Sequence, residues 1–365
     1  MSSKESSAAI PPLIRLLPNR VWRSYLGGKL LDQLEGKVDA DDSHFPEDWV
    51  CSTTAAINPG RNESVNEGIS RVALGEKEIS LKNLLQKFPA EILGPTHFAK
   101  YGSEAQFLVK LLDSNIRLHI QAHPTLQFAK KHLNSNSGKT EAYVILGVRK
   151  EISEPYIYLG FQHAPSKGRF REIVLKQETS ELLSCFEKVP VHAGDVFLIP
   201  GGMPHAIGEG IFMIEIMEPT DFVVRLEFER GGYILPEPSR FMGRDVNFAI
   251  EMIDFTQTSG EDVRRKHFCP PRITRSGKGG IEYILIDEKQ TRCFEVLQLD
   301  VTNKFRRRSD SFHVGIVKSG IGSMAAGGHR EGLKLGDRFL IPFSTKEVEY
   351  KTDEGMKMIF AYPPK

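Results

Sequence analysis

The stretch HAGDVFLIPGGMPH, residues 192–205, returns later in the chain as KLGDRFLIPFSTKE, residues 334–347. Aligned on Gly194 and Gly336, the G-D-x-F-L-I-P core agrees at six of seven positions. A strand–turn unit that recurs this closely predicts two copies of one barrel. The copies differ at one telling place. His205 stands five residues after Pro200, and Glu347 stands five residues after Pro342. The first barrel is therefore read as active and the second as degenerate and without metal.

The surrounding sequence agrees with a β-rich chain. From about 105 to 230, short apolar runs such as QFLVKLL, IRLHIQA, EAYVILGV, IFMIEIM and DFVVRLEF alternate with Gly/Pro turns, as in an antiparallel barrel or sandwich. Similar short strands resume from about 276. Helices are expected over 79–95, with Ser80 as cap and Pro95 closing the region, after Pro124, and over about 171–188. Residues 231–275 differ, with a helical pattern at GRDVNFAIEMIDF. Turn signals mark LGGK and NPGRNES in the first 75 residues.

The 365 residues suffice for a large core. A net charge of +1 gives no global pull toward nucleic acid or anionic membrane. No apolar run approaches the ~20 residues of a membrane span. The N-terminus is short and polar, without the apolar segment of a secretion signal. Cys51, Cys185, Cys269 and Cys293 are far apart and form no CxxC pair, which fits a reducing cytoplasm. P-loop, dinucleotide-binding and GxSxG signatures are absent.

One short run does not fit a plain core strand. In HIQAHPTL, residues 119–126, His119, Gln121 and His123 alternate and so share one strand face. Three polar groups on one face beside a core need partners, because burying them unpaired is costly.

Residues 194–205 read G-x5-P-x-G-x2-H, which resembles the second motif of the cupin superfamily. The combination of Gln121-x-His123-Pro124, GKTE at 138–141 and G-D-x-F-x-x-P-x-G-x-x-H-A is narrower. It resembles the type I mannose-6-phosphate isomerases, also called phosphomannose isomerases, over most of residues 20–230. The resemblance implies a mainly β fold of two cupin-like (jelly-roll) barrels with an additional helical segment. Residues 1–230 would hold the catalytic barrel and its N-terminal segments, 231–275 a helical insertion, and 276–365 a degenerate C-terminal barrel.

Carried over residue by residue, the resemblance implies one zinc ion per chain on Gln121, His123, Glu141 and His205. It implies active-site roles for Glu215, Arg225 and Lys139, with Lys139 and Arg225 also gripping the substrate. The implied reaction interconverts mannose 6-phosphate and fructose 6-phosphate by proton transfer between C1 and C2. The base is left open among Glu215, Lys139 and a zinc-bound hydroxide. The sequence departs from the family at His119, where a serine is usual, and at Ala142-Tyr143-Val144 after Glu141. His119 is expected either to pair in the core or to line the sugar-phosphate pocket, donating to phosphate when protonated. Two other classes compete, an iron-dependent cupin oxygenase and a non-catalytic sugar-binding cupin. Gln121 in place of a histidine argues against the first, and the intact ligand set argues against the second. The partner expected is a sugar phosphate, not nucleic acid or membrane, in a cytoplasmic setting.

Overall fold

The structure is a computed structural model that describes residues 10–61, 66–75 and 77–365. The polar start over 1–9 and the end of the turn signal at 58–64 lie outside the described residues. The fold is mainly β and holds two barrels. In the first, two antiparallel sheets face each other. One runs in the order Val196–Ile199, Glu141–Val148, Ile211–Met217, Leu108–Asp113, Glu47–Cys51 and Arg20–Val21. The other runs Val189–Pro190, Tyr156–Leu159, His205–Ile207, Gln121–Ala122 and Val224–Arg225.

Pleating sends alternate side chains to opposite faces. Both faces of the six-stranded sheet are covered, so Leu108–Asp113 is buried at every position and its sequence shows no clean polar alternation. Val109, Leu111, Val144 and Ile214 turn away from the first barrel. They share one apolar core with Val296, Val314, Leu340 and Ile359 of the second. Lys110 and Glu215, on the alternate positions, turn into the first barrel's cavity. The five-stranded sheet covers its outer face with helices, through Ile120, Ala122 and Val224 against Phe170, Ile173 and Ala249.

The helix expected over 79–95 is three short helices, Leu81–Lys87, Pro89–Ile92 and Pro95–Tyr101. Pro89 has no N–H to continue the first one. Pro95 opens the third instead of closing the region, at the first helical position where a missing N–H costs nothing. Ser80 stands at the N-cap but makes no side-chain capping bond. The segment expected to be helical over 171–188 splits at Gln177, whose φ is 54°, into Lys167–Lys176 and Thr179–Ser184. At IRLHIQA and DFVVRLEF only Gln121–Ala122 and Val224–Arg225 are laddered. The Glu227 carboxylate replaces ladder bonds there, accepting from Arg117 and from the Ile120 amide at 2.7 Å each.

Residues 231–275 carry the helices Glu237–Arg240, Val246–Met252 and Gly260–His267. The second barrel's sheet begins with Arg272–Gly277 and also takes in Ile14–Leu16, Arg71–Leu74 and Lys77–Ser80 from the N-terminal region. Sheet membership thus crosses the order of the sequence. All four cysteines are free. Among the described residues no helix is long and apolar enough to cross a membrane.

The internal echo is a true structural repeat. Glu141 pairs with Ile199 in the first barrel, and His313 pairs with Ile341, the same place in the echo, in the second. Two residues on, Tyr143 pairs with Glu215, and Gly315 pairs with Phe360. His313 therefore stands where Glu141 does, and Phe360 where Glu215 does. The Gln121–His205 pair has its counterpart in the paired strands Lys304–Arg308 and Glu347–Lys351. Here the alignment on sequence misleads. Glu347 and Arg308 point outward and pair with each other, with side chains 46% and 85% exposed. The inward pair is Val348 with Arg307. The turn after Pro342 delays the inward position by one residue, and a one-residue slip exchanges the faces of a strand. The second barrel thus has an arginine and a valine where the first has Gln121 and His205.

His313 is buried and its Nδ1 lies 3.2 Å from the Ser311 carbonyl. Burial, aided by the Arg307 charge, pushes its imidazole down to about 3. An unfolded histidine takes up a proton below about pH 6.5, but this folded one resists it. Its contribution to stability is complete above that pH and is lost as pH falls toward 3. His313→Phe is therefore expected to keep its urea midpoint better than wild type on going from about pH 7 to 4.5. Equal losses in the two proteins, measured by urea unfolding, would exclude this role for His313.

Candidate active site

Three strands and a turn bring the polar residues of the first barrel together. Gln121 and His205 face each other across a strand pair, and Glu141 begins the strand in the opposite sheet. The Gly201-Gly202 turn makes this approach possible. A Cβ on Gly201 would fall 2.5 Å from the Pro124 carbonyl oxygen. Gly202 has φ +86° and donates its N–H to the His123 carbonyl at 2.6 Å. The turn that delivers His205 is thereby tied to the residue that delivers His123.

The two imidazoles have fixed tautomers. His123 donates through Nδ1 to the Phe222 carbonyl at 2.8 Å, and His205 through Nδ1 to the Met203 carbonyl at 2.9 Å. Each Nε2 is left with its lone pair directed inward. His123 Nε2 lies 3.1 Å from Glu141 Oε1, and His205 Nε2 lies 3.6 Å from Glu141 Oε2. The ligand atoms of the three residues all fall within 4.8 Å of one another. The Gln121 amide is 3.4 Å from His205 Nε2, and half a turn of the amide presents its oxygen to the same point. All three charged or imidazole groups are buried.

This donor set fits a metal cation. Burial alone would raise the Glu141 carboxyl, yet His123 and the Lys139 ammonium hold it well below the usual carboxylate range. Glu141 Oε2 accepts from the Tyr143 hydroxyl at 2.9 Å. Glu141 Oε1 is buried and accepts no aligned hydrogen bond. Burial pushes His123 down to about 3 and lowers His205 as well. Two neutral imidazoles and a carboxylate are ligands that zinc accepts, and the Gln121 amide lies beside them.

Lys139 also lies here, its Nζ 3.2 Å from Glu141 Oε1 and 3.3 Å from His123 Nε2. Glu215 faces the same cavity with Lys110 Nζ 2.9 Å away. Burial, then the Glu141 charge, raise its carboxyl to about 7 against the pull of Lys110. Arg225 lines the cavity and donates to the Ser239 carbonyl at 2.9 Å. Among the described residues it has no carboxylate partner, and burial lowers it to about 10.

His119 reaches the cavity wall with both ring nitrogens paired. Its Nδ1 lies 3.0 Å from the Glu227 carbonyl and its Nε2 3.3 Å from the Ser24 hydroxyl. Burial, then the Arg225 charge, push it down to about 3. It is a neutral imidazole near pH 7, so a grip on phosphate that needs its protonated form is not what this geometry provides.

The sequence reading passed over a buried charge network behind the site. Glu47 accepts from Arg23 Nε at 2.9 Å, from the Tyr25 hydroxyl at 2.7 Å and from Trp49 Nε1 at 2.7 Å. Lys110 Nζ bridges Glu47 at 3.4 Å and Glu215 at 2.9 Å. Arg23 holds Asp221 with both Nη groups, at 3.1 and 3.2 Å. A signal was present. Lys110 interrupts the apolar run QFLVKLL, and a charge inside such a strand must have a buried partner.

The cavity lined by Gln121, Lys139, Glu215 and Arg225 has only about 30 Å³ of free space. Beside it lies a cleft of about 540 Å³ between Ile57, His132, Ser239 and Arg244. Asp221, Val223 and Arg225 line both.

No family model matches the chain. A mannose-6-phosphate isomerase of Streptococcus mutans is 26% identical over 247 residues, which are 67% of this chain and 71% of that protein. Among solved structures, the mannose 6-phosphate isomerase of Bacillus subtilis superposes with a TM-score of 0.74. It is 20% identical and the match covers 96% of this chain and 99% of that one. A mannose 6-phosphate isomerase solved with zinc and yttrium gives a TM-score of 0.69 at 16% identity, over 97% of this chain and all of that one. The chain is thus a relative of the mannose-6-phosphate isomerases and carries their cupin-like fold.

Proposed function

We propose that the chain is a zinc-dependent aldose–ketose isomerase that interconverts mannose 6-phosphate and fructose 6-phosphate. The observation that carries this reading is the convergence of His123 Nε2, His205 Nε2 and the Glu141 carboxylate within 4.8 Å, beside the buried Glu215–Lys110 pair. The relatives' names and the zinc in one solved neighbour support it. When bound on Gln121, His123, Glu141 and His205, one zinc ion per chain would act as a Lewis acid toward the sugar's oxygens.

The remaining chemistry belongs to side chains. The reaction removes a proton from one of C1 and C2 and returns it to the other, with charge developing on the adjacent oxygens. Glu215 is the carboxylate placed to take that proton, and Lys110 keeps it oriented. Lys139, held beside the ligand set, stabilises the oxygen charge of the enediolate. The cavity of about 30 Å³ admits only the reacting end of a hexose phosphate. The rest of the substrate extends past Arg225 into the adjoining cleft, where the guanidinium can bind the phosphate through two parallel N–H bonds. The low-dielectric walls keep bulk water from the enediolate.

His205→Ala removes one of two inward-facing imidazoles. It is expected to abolish tight zinc binding and turnover while the circular dichroism spectrum stays native. Stoichiometric zinc by elemental analysis, together with normal turnover, would contradict the site. Glu215→Gln is expected to lower kcat by about 10²–10⁴-fold with zinc retained. If Glu215→Gln stays within about tenfold of wild type and Lys139→Gln shows the larger loss, Lys139 is the base instead. Arg225→Lys keeps the charge but loses the planar fork. It is expected to raise KM for mannose 6-phosphate about tenfold or more at unchanged zinc content. An unchanged KM would place the phosphate elsewhere.

A further inference from the structure

The second barrel has lost the ligand set but kept a mouth. Where Gln121 faces inward in the first barrel, Arg307 faces inward in the second. Its guanidinium lies over the rings of Phe360 and Tyr362 at 5.0 and 5.2 Å. It donates from Nε to Glu282 at 2.5 Å and from Nη1 to the Tyr362 hydroxyl. Its Nη2 has no partner among the described residues. The side chain is only 10% exposed. The Tyr350 hydroxyl, fully buried in the same barrel and within the field of Arg307, is also unpartnered. A fixed cation thus stands at the position that Gln121 holds in the first copy.

Above Arg307 opens a cavity of about 440 Å³, closed on its far side by the helix Pro95–Tyr101. That volume is ample for a monosaccharide phosphate. Tyr101 and Phe343 line it with aromatic rings, while the Tyr362 ring is taken up by His313 and Arg307. Lys100 and Arg308 stand on its rim. Lys100 Nζ lies over the Tyr101 ring at 4.7 Å and donates to the main-chain oxygen of Lys365, the last residue, at 3.0 Å. Arg308 uses Nε for Glu347, which leaves both Nη groups directed to solvent or ligand. The acids in the lining are Glu295 and Asp310. Glu295 is tied to Lys365 at 2.9 Å, and the Asp310 side chain is fully solvent-exposed. An aromatic wall beside cations that grip a terminal phosphate is the chemistry that recognises a sugar phosphate.

We propose that the mouth of the second barrel is a second, metal-free binding site for a sugar phosphate, with Arg307 at its floor and Lys100 and Arg308 at its rim. Among the described residues no metal ligand set lines this cavity, so the site is proposed for binding alone.

The test counts bound ligand on the full-length, zinc-loaded protein by equilibrium dialysis against radiolabelled mannose 6-phosphate. Lys100→Ala/Arg308→Ala changes two exposed residues outside the first barrel. It is expected to bind one equivalent fewer than the parent, or to bind that equivalent about tenfold more weakly, with turnover unchanged. The same comparison is made in a His205→Ala background. The difference of one equivalent is expected to persist there, so the result does not depend on what the first barrel binds. Equal stoichiometry and affinity with and without the two substitutions, in both backgrounds, would overturn the proposal. So would displacement of the second equivalent by unphosphorylated mannose as readily as by mannose 6-phosphate.

Discussion

Everything in the first barrel is arranged around one carboxylate that has no water. Glu141 is fully buried, and an isolated charge in that position would be prohibitively expensive. It is tolerated because the Lys139 ammonium and the Tyr143 phenol converge on it, at 3.2 and 2.9 Å, with the His123 and His205 imidazoles within 3.6 Å. The backbone carbonyls of Phe222 and Met203 fix the imidazoles so that lone pairs, not protons, face the carboxylate. Lone pairs facing a carboxylate repel it unless a cation stands between them. The geometry is therefore that of a ligand set, with the Lys139 ammonium beside it.

The same sheet that presents Glu141 inward presents Ala142 and Val144 outward, into the core shared with the second barrel. The site is thus built on a strand clamped on both faces, which limits the freedom of its ligands. The two barrels show how one scaffold takes two electrostatic solutions. In the first, neutral and anionic side chains surround a point suited to a divalent ion. In the second, Arg307 brings its own cation, Phe360 takes the place of Glu215, and Val348 that of His205. Only the strand order and register remain common to both.

Much of this was legible in the residues. The G-D-x-F-L-I-P echo gave the repeat, because a strand ending at a fixed turn leaves a strong local signature. Gln121, His123, Glu141 and His205 came from the family resemblance, and the structure brings all four together. The inward residue of the second strand pair was not legible. It depends on whether the turn after Pro342 is one residue longer in effect, and spacing alone read Glu347 where Val348 faces in. The three-helix break over 79–101 was missed because Pro89 was read through and Pro95 was read as an end, although both open helices. The state of His119 was out of reach too, since its neutrality comes from burial and from Arg225, a residue 106 positions away in the chain. The Glu47–Lys110–Glu215 network needed strand pairing to be seen, but Lys110 in an apolar run pointed to it.

The most direct measurement of the central claim is a coupled assay for conversion of mannose 6-phosphate to fructose 6-phosphate, run on chelator-treated and zinc-reloaded protein. The account predicts that turnover vanishes when the metal is stripped and returns with about one equivalent of zinc per chain. Full turnover by protein shown to be metal-free, or none by protein fully loaded with zinc, would contradict it.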